Sequence, residues 1–220
     1  MESQQGTSPI GFSFPLSPDS GSLPLPILSM VQAFISIGTA LNVCDNLWDP
    51  CYMHVMPASA PCLSLMPANL QPVPAQLMIP HHPALDLLPW PSMREKLICM
   101  LALPNKLRPP IAREDDEGGT DGCGIWPGSD MFGNSTPAGQ SKAIVQLVQD
   151  LDDFEDGGGL RVHGNSTTWG QGSEFVDEAW EVGESFYRKW WFCLDQKIID
   201  QTNQRRNARG MRRLRLAPAA

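Results

Sequence analysis

Glu178-Ala179-Trp180-Glu181-Val182-Gly183-Glu184-Ser185-Phe186-Tyr187-Arg188-Lys189-Trp190-Trp191-Phe192-Cys193-Leu194-Asp195-Gln196-Lys197-Ile198-Ile199-Asp200 sets Trp180, Tyr187, Trp190, Trp191, Leu194 and Ile198 mostly at helical spacings. Apolar residues recurring at that period predict a helix with one buried face. Gly183 interrupts the pattern at a cost of ~1 kcal/mol relative to alanine, which allows the helix to begin only after it. Aromatic side chains at helical period bury large areas against other helices, so the stripe is expected to be core and not a ligand cage.

Working outward, the next clear periodicity is Ile144, Leu147, Val148, Leu151 and Phe154, which predicts an amphipathic helix over 139–156 ended by Gly157-Gly158-Gly159. Asp152, Asp153, Glu155 and Asp156 sit where the macrodipole disfavours acids, so that end is expected to fray. Ser92-Met93-Arg94-Glu95 has the form of a capping box opening a helix to about Ala102, with Met93, Leu97, Met100 and Leu101 on its apolar face. A first helix is expected over 25–42, with Phe34, Ile35 and Leu41 inward. Between Trp48 and Pro80 a Pro- and Met-rich stretch has no period and reads as one long loop, while Leu160-Arg161-Val162-His163 reads as a short extended piece. The expected fold is therefore all-α: about four helices around a Trp-rich core, joined by long irregular loops.

Composition sets further bounds. The chain of 220 residues contains 21 prolines and 19 glycines, which limits the length of regular elements. Its formal charge of −8 argues against a nucleic-acid footprint over the whole surface. No Lys or Arg occurs before Arg94, acids dominate from Glu114 to Glu184, and the sign reverses from Arg188 to Arg215. Residues 1–22 are rich in Ser, Pro and Gly and are expected to be a disordered tail, 23–210 a single domain, and 211–220 a basic tail. The opening residues have no secretory pattern, so the six cysteines are expected to be reduced thiols and the triplets at Asn134 and Asn165 to be loop chemistry. Ile27 to Cys44 is uncharged, but Ser29, Gln32, Ser36 and Thr39 draw a polar stripe along one helix face. No membrane segment is expected.

Several segments resemble one family in the same order along the chain. They are the apolar run 23–43, the stretch from Leu70 through Leu77 into His81-His82-Pro83-Ala84-Leu85-Asp86-Leu87-Leu88-Pro89-Trp90-Pro91-Ser92-Met93-Arg94, the block from Gly159 to Gly164, the block from Trp180 to Trp191, and Thr202 to Gly210. Together they resemble the fungal domain of unknown function that commonly follows a bZIP region in filamentous-fungal transcription factors. The shared positions are His81, His82, Pro83, Asp86, Pro89, Pro91, Arg94, Trp180, Glu181, Phe186, Trp190, Asn203, Arg206, Arg209 and Gly210. The resemblance implies a nuclear, transcription-associated protein that acts through protein partners such as a bZIP factor, with no catalytic residues and no cofactor. Three departures stand out. His163 occupies a position that is usually aromatic, the loop from Asn165 to Asp177 is altered, and the bZIP region itself is missing, since only five residues follow Arg215 and no leucine heptads can form after the basic cluster. The chain is therefore expected to make weak or no direct contact with nucleic acid. A truncated gene product whose bZIP half lies upstream is a third reading.

Other chemistry was weighed. His81-His82-Pro83-Ala84-Leu85-Asp86 fits the His-His-x-x-x-Asp pattern of condensation-type acyltransferases, in which the second histidine is the general base, and a small enzyme using His82 is the alternative function. The bland reading has the histidines capping a proline-rich loop and Asp86 bonding backbone amides. Cys44, Cys51, His54 and Cys62 are spaced loosely enough to surround zinc, but no Cys-x-x-Cys pair exists, and no metal is expected. No phosphate-binding glycine loop is present.

Overall fold

A computed structural model describes residues 30–59, 61–114, 140–153, 158–163 and 173–216. The expected tail 1–22, most of the acidic segment 113–139, Phe154 and the loop 164–172 lie outside the described residues. Among those described, the protein is mostly helical, but with six α-helices and a two-stranded sheet instead of about four helices alone. The helices are α1 (Met30–Leu41), α2 (Pro74–Met78), α3 (Pro91–Leu101), α4 (Ser141–Leu151), α5 (Glu184–Trp190) and α6 (Gln196–Ala208). The strands are β1 (Leu160–Val162) and β2 (Trp180–Val182).

In α1, Met30, Ala33, Phe34, Ile37 and Leu41 form the buried stripe at spacings of three and four. Ile35, expected inward, is 43% exposed, because it sits a quarter-turn from that stripe. Ser36 and Thr39 bond back to the carbonyls of Gln32 and Ile35, so the polar face stays solvated without unpaired hydroxyls. No helix among the described residues is long and apolar enough to cross a membrane.

The stretch expected to be one loop between Trp48 and Pro80 is ordered by short 3-10 turns at 61–65 and 68–70 and by α2, and a further 3-10 turn follows at 83–87. The capping box at Ser92 does not form. Pro91 takes the first helical position of α3, and the Glu95 carboxylate accepts instead from the Ala75 amide of α2 (3.3 Å). Met93, Leu97 and Leu101 are buried as expected, joined by Ile98, while Met100 is only partly buried.

The single helix expected between Glu178 and Asp200 is divided into β2, α5 and α6. Gly183 separates the first two, a 3-10 turn at 191–193 follows α5, and Asp195 restarts the helix by accepting from the Ile198 amide (2.9 Å). Trp180 falls on a strand because β1 pairs antiparallel with β2 in the register Leu160↔Val182, Arg161↔Glu181, Val162↔Trp180. The Thr202 hydroxyl of α6 accepts from the Val182 amide (3.1 Å). Gly159 carries the chain from α4 into β1 so closely that a Cβ there would fall 2.0 Å from the Leu151 carbonyl oxygen.

Trp90, Trp180 and Trp190 are fully buried, whereas Trp48 is 71% and Trp191 51% exposed. Among the described residues the core thus holds three indoles among aliphatics, and Trp191, part of the expected stripe, faces outward. Each buried indole N–H has an acceptor: Gln201 Oε1 for Trp90 (3.0 Å), the Glu174 carbonyl for Trp180 (2.9 Å) and Asp150 Oδ2 for Trp190 (2.8 Å). Trp90 meets Trp180 edge to face at 6.4 Å, which joins the N-terminal half of the domain to the C-terminal half. Cys44, Cys62, Cys99 and Cys193 are free thiols, but Cys51 is disulfide-bonded, in departure from the expectation that every cysteine is reduced.

Candidate functional site

The signature stretch around His81 closes a buried polar network. His81 and His54 exchange backbone hydrogen bonds as an isolated antiparallel bridge, which brings their rings to 4.9 Å. Asp86, on the 83–87 turn, lies between them and accepts from His54 Nε2 at Oδ2 (2.7 Å) and from His81 Nε2 at Oδ1 (2.8 Å). The Gln76 amide nitrogen donates to the same Oδ1 (2.6 Å), and the Gln76 amide oxygen accepts from Arg94 Nε (3.0 Å) and from the Val73 amide (2.9 Å). Gln76 therefore links the cation to the carboxylate. The remaining Arg94 donors reach the carbonyls of Asn69 (2.9 Å), Leu88 (2.7 Å) and Gln71 (2.8 Å), so one guanidinium ties the 68–70 and 83–87 turns together.

Burial shapes the charges of this group. His81 Nδ1 faces the Ile79 carbonyl oxygen (2.6 Å) while its Nε2 faces the Asp86 carboxylate, and two acceptors require two protons. Burial alone would lower the His81 pKa, but the Asp86 hydrogen bond and charge outweigh it and raise it. Burial alone would likewise raise Asp86, yet the hydrogen bonds from His54 and His81 hold it at about 2. Arg94 is lowered to about 10, chiefly by burial, and remains cationic at neutral pH.

His82 behaves differently. Its Nδ1 accepts from the Ala84 amide (3.1 Å) and caps the 83–87 turn, and its Nε2 donates to the Asp49 carbonyl oxygen (3.0 Å). Burial pushes its pKa down to about 4, so it is a neutral cap. The capping expectation holds for His82, whereas Asp86 bonds side chains instead of backbone amides. Both ring nitrogens of His82 are thus engaged by backbone.

The later shared positions build a second cluster. Buried Glu181 on β2 accepts from His163 Nε2 at Oε2 (2.7 Å) and from Arg209 at Oε1. Burial alone would raise this carboxyl, but the His163 hydrogen bond and the Arg209 charge keep it below the usual range. His163, the departure from an aromatic residue, thus becomes the partner of a buried acid. Arg206 donates to the Arg212 carbonyl (2.7 Å) and to Glu184 Oε2 (3.2 Å), and Asn203 makes a two-way hydrogen bond with the Leu214 backbone (2.9 and 2.8 Å). Phe186 and Trp190 are buried and stacked at 6.1 Å, and Gly210 leaves α6 at φ 67°.

His81, Asp86 and Arg94 are therefore gathered in one network, Glu181 and Arg209 in a second with His163, and Arg206 in a third with Glu184 and the Arg212 carbonyl. Pro83 and Pro91 open the 83–87 turn and α3, and Pro89 offers its carbonyl to Asn69 (3.1 Å). Gln76 and Asp150 carry no functional motif of their own in the sequence, and His54 stands out there only as a candidate zinc ligand. The one sequence signal for Gln76 is its place three residues after Val73, where its side chain reaches back to the Val73 amide.

Cys44, Cys51, His54 and Cys62 do not converge. The Cys44 and Cys62 thiols face the carbonyls of Ile35 and Leu41, Cys51 is oxidised, and His54 turns to Asp86. Ligand-type atoms of His54, His81 and Asp86 do lie within 4.8 Å of one another. Both imidazoles direct their Nε2 atoms at the carboxylate itself, so the three side chains are joined by hydrogen bonds through Asp86.

Comparison with protein families matches residues 51–109 to the family described as "Domain of unknown function (DUF3425)". That segment contains the whole His54, Gln76, His81, Asp86 and Arg94 network. No curated protein and no solved structure matches the chain.

Proposed function

We propose that this chain is a fungal transcription-associated regulatory domain that works in the nucleus by binding protein partners, a bZIP factor foremost. The observation that carries the reading is the use made of the shared positions. His81, Asp86 and Arg94 are joined inside the matched segment, where Arg94 holds backbone carbonyls; outside it Asn203 and Arg206 each hold backbone of the C-terminal strap, and Glu181 pairs with the side chains of His163 and Arg209. Such positions specify a shape that presents a surface. The surface includes large apolar side chains of the kind that anchor protein interfaces: Trp48, Leu65, Met78, Leu107 and Trp191 are each more than half exposed. The acyltransferase alternative needs a free nitrogen on His82, and both are engaged by backbone.

The test is affinity purification of the tagged full chain from a filamentous fungus, with a duplex-DNA pull-down of the purified chain in parallel. Recovery of a bZIP factor with little direct DNA retention at physiological salt is the expected result. Recovery of metabolic enzymes without any DNA-binding factor overturns the proposal.

A further inference from the structure

Residues 211–216 leave α6 at Gly210 and fold back over α5 and α6 as an extended strap. The strap is pinned through its backbone. Met211 donates to the Arg206 carbonyl (2.9 Å), the Arg212 carbonyl accepts from Arg206 Nε (2.7 Å), the Leu214 amide and carbonyl are both held by Asn203, and the Arg215 carbonyl accepts from the Tyr187 hydroxyl. Leu214 is buried beneath it. Between the strap and α5 lies a groove of about 610 Å³ lined by Glu184, Tyr187, Arg188, Arg206, Leu214 and the strap arginines Arg212, Arg213 and Arg215.

The charges in this groove do not balance. Five arginines line it against the single carboxylate of Glu184, which is already taken up by Arg188 at Oε1 (2.6 Å) and Arg206 at Oε2 (3.2 Å). Arg212, Arg213 and Arg215 are exposed, and none of them has a carboxylate partner among the described residues. Three arginines held on six residues of pinned backbone, with no carboxylate of their own in the groove, give it a positive potential that favours an anion. Guanidinium forks match the geometry of phosphate oxygens, and the volume is that of a small-ligand site.

We propose that this groove binds a compact phosphate-bearing ligand, its phosphate held by Arg212, Arg213 and Arg215 and its remaining body against Tyr187 and Leu214. The site is independent of the partner-binding reading above. A small dianion is favoured over a nucleic-acid backbone because the groove is concave and the chain as a whole carries −8, which repels a long polyanion while leaving a compact one free to enter.

The test is isothermal titration of the full chain with inorganic pyrophosphate at physiological salt, supported by phosphorus NMR line broadening. Saturable binding is expected, weakened roughly ten-fold or more by the combined substitution Arg212→Ala, Arg213→Ala and Arg215→Ala, and unchanged by Lys106→Ala. Because the strap is held by backbone atoms, the variant is expected to keep its circular dichroism and melting profile, and the single change Arg213→Gln provides a milder variant with the same direction of effect. Absence of saturable binding, undiminished binding in the triple variant, or duplex DNA that binds the same arginines more tightly than pyrophosphate would each overturn the proposal.

Discussion

The Nε2 atom of His81 lies 2.8 Å from Oδ1 of Asp86, and both side chains are about 1% exposed. The other His81 nitrogen donates to Ile79, so the buried ring is an imidazolium and the pair is a full ion pair.

This pair makes stability depend on pH in both directions. His81 has a folded pKa above its ordinary 6.5, so its contribution is complete below 6.5 and is lost as pH rises through the raised folded value. Asp86 has its folded pKa lowered from 3.8 to about 2, so its contribution is complete above 3.8 and is lost as pH falls through about 2. Urea midpoints measured across pH are expected to be highest between 3.8 and 6.5 as far as this pair is concerned. Asp86→Asn is expected to cost about 1.5–3 kcal/mol, because it removes the charged acceptor that His54, Gln76 and His81 share, and to flatten the His81 arm of the profile, because burial then leaves the ring neutral. An unchanged alkaline arm in Asp86→Asn would remove the pair as its cause.

Arg94→Lys is the second prediction. A lysine has no fork with which to reach Gln76, Asn69, Leu88 and Gln71 together, so orphaned carbonyls remain inside the loop. A loss of about 2–4 kcal/mol in chemical denaturation is expected. A loss under about 0.5 kcal/mol would mean that water replaces the guanidinium at small cost.

Gly159→Ala and Gly210→Ala separate crowding from backbone conformation. At Gly159 the added methyl runs into the α4 backbone at Leu151, whereas at Gly210 nothing lies within 4 Å and only the φ of 67° resists it. Gly210→Ala is expected to cost about 1 kcal/mol, and Gly159→Ala clearly more. Melting temperatures in the reverse order would contradict the packing described at the α4 to β1 connection.

Asn203→Ala is expected to release the strap. It removes both hydrogen bonds to Leu214, a loss of about 1–3 kcal/mol locally, and limited trypsin digestion should then cut after Arg212, Arg213 or Arg215 several-fold faster than in the parent chain. Equal cleavage rates would show that Leu214 burial alone holds the segment.

The elements with strong period were legible in the sequence. The apolar faces of α3 and α4 follow from spacing, and the extended character of Leu160 to Val162 from its residue types. The division of the aromatic stretch was not legible, because Trp180 and Trp190 are both buried but on different kinds of element, and only the tertiary pairing of β2 with β1 distinguishes them. The site was half legible. His81, Asp86 and Arg94 stand out as a motif, but His54 and Gln76 join them through contacts 32 and 10 residues distant from Asp86, which no local pattern encodes.

The edge-to-face contact between Trp90 and Trp180 bears on what a dissected protein would do. Trp90 belongs to the matched segment 51–109 and Trp180 does not, yet each indole forms part of the wall against which the other is buried. A fragment ending at residue 109 would keep the Asp86 network and bare one indole to water. Such a fragment is expected to be a sticky half, prone to self-association.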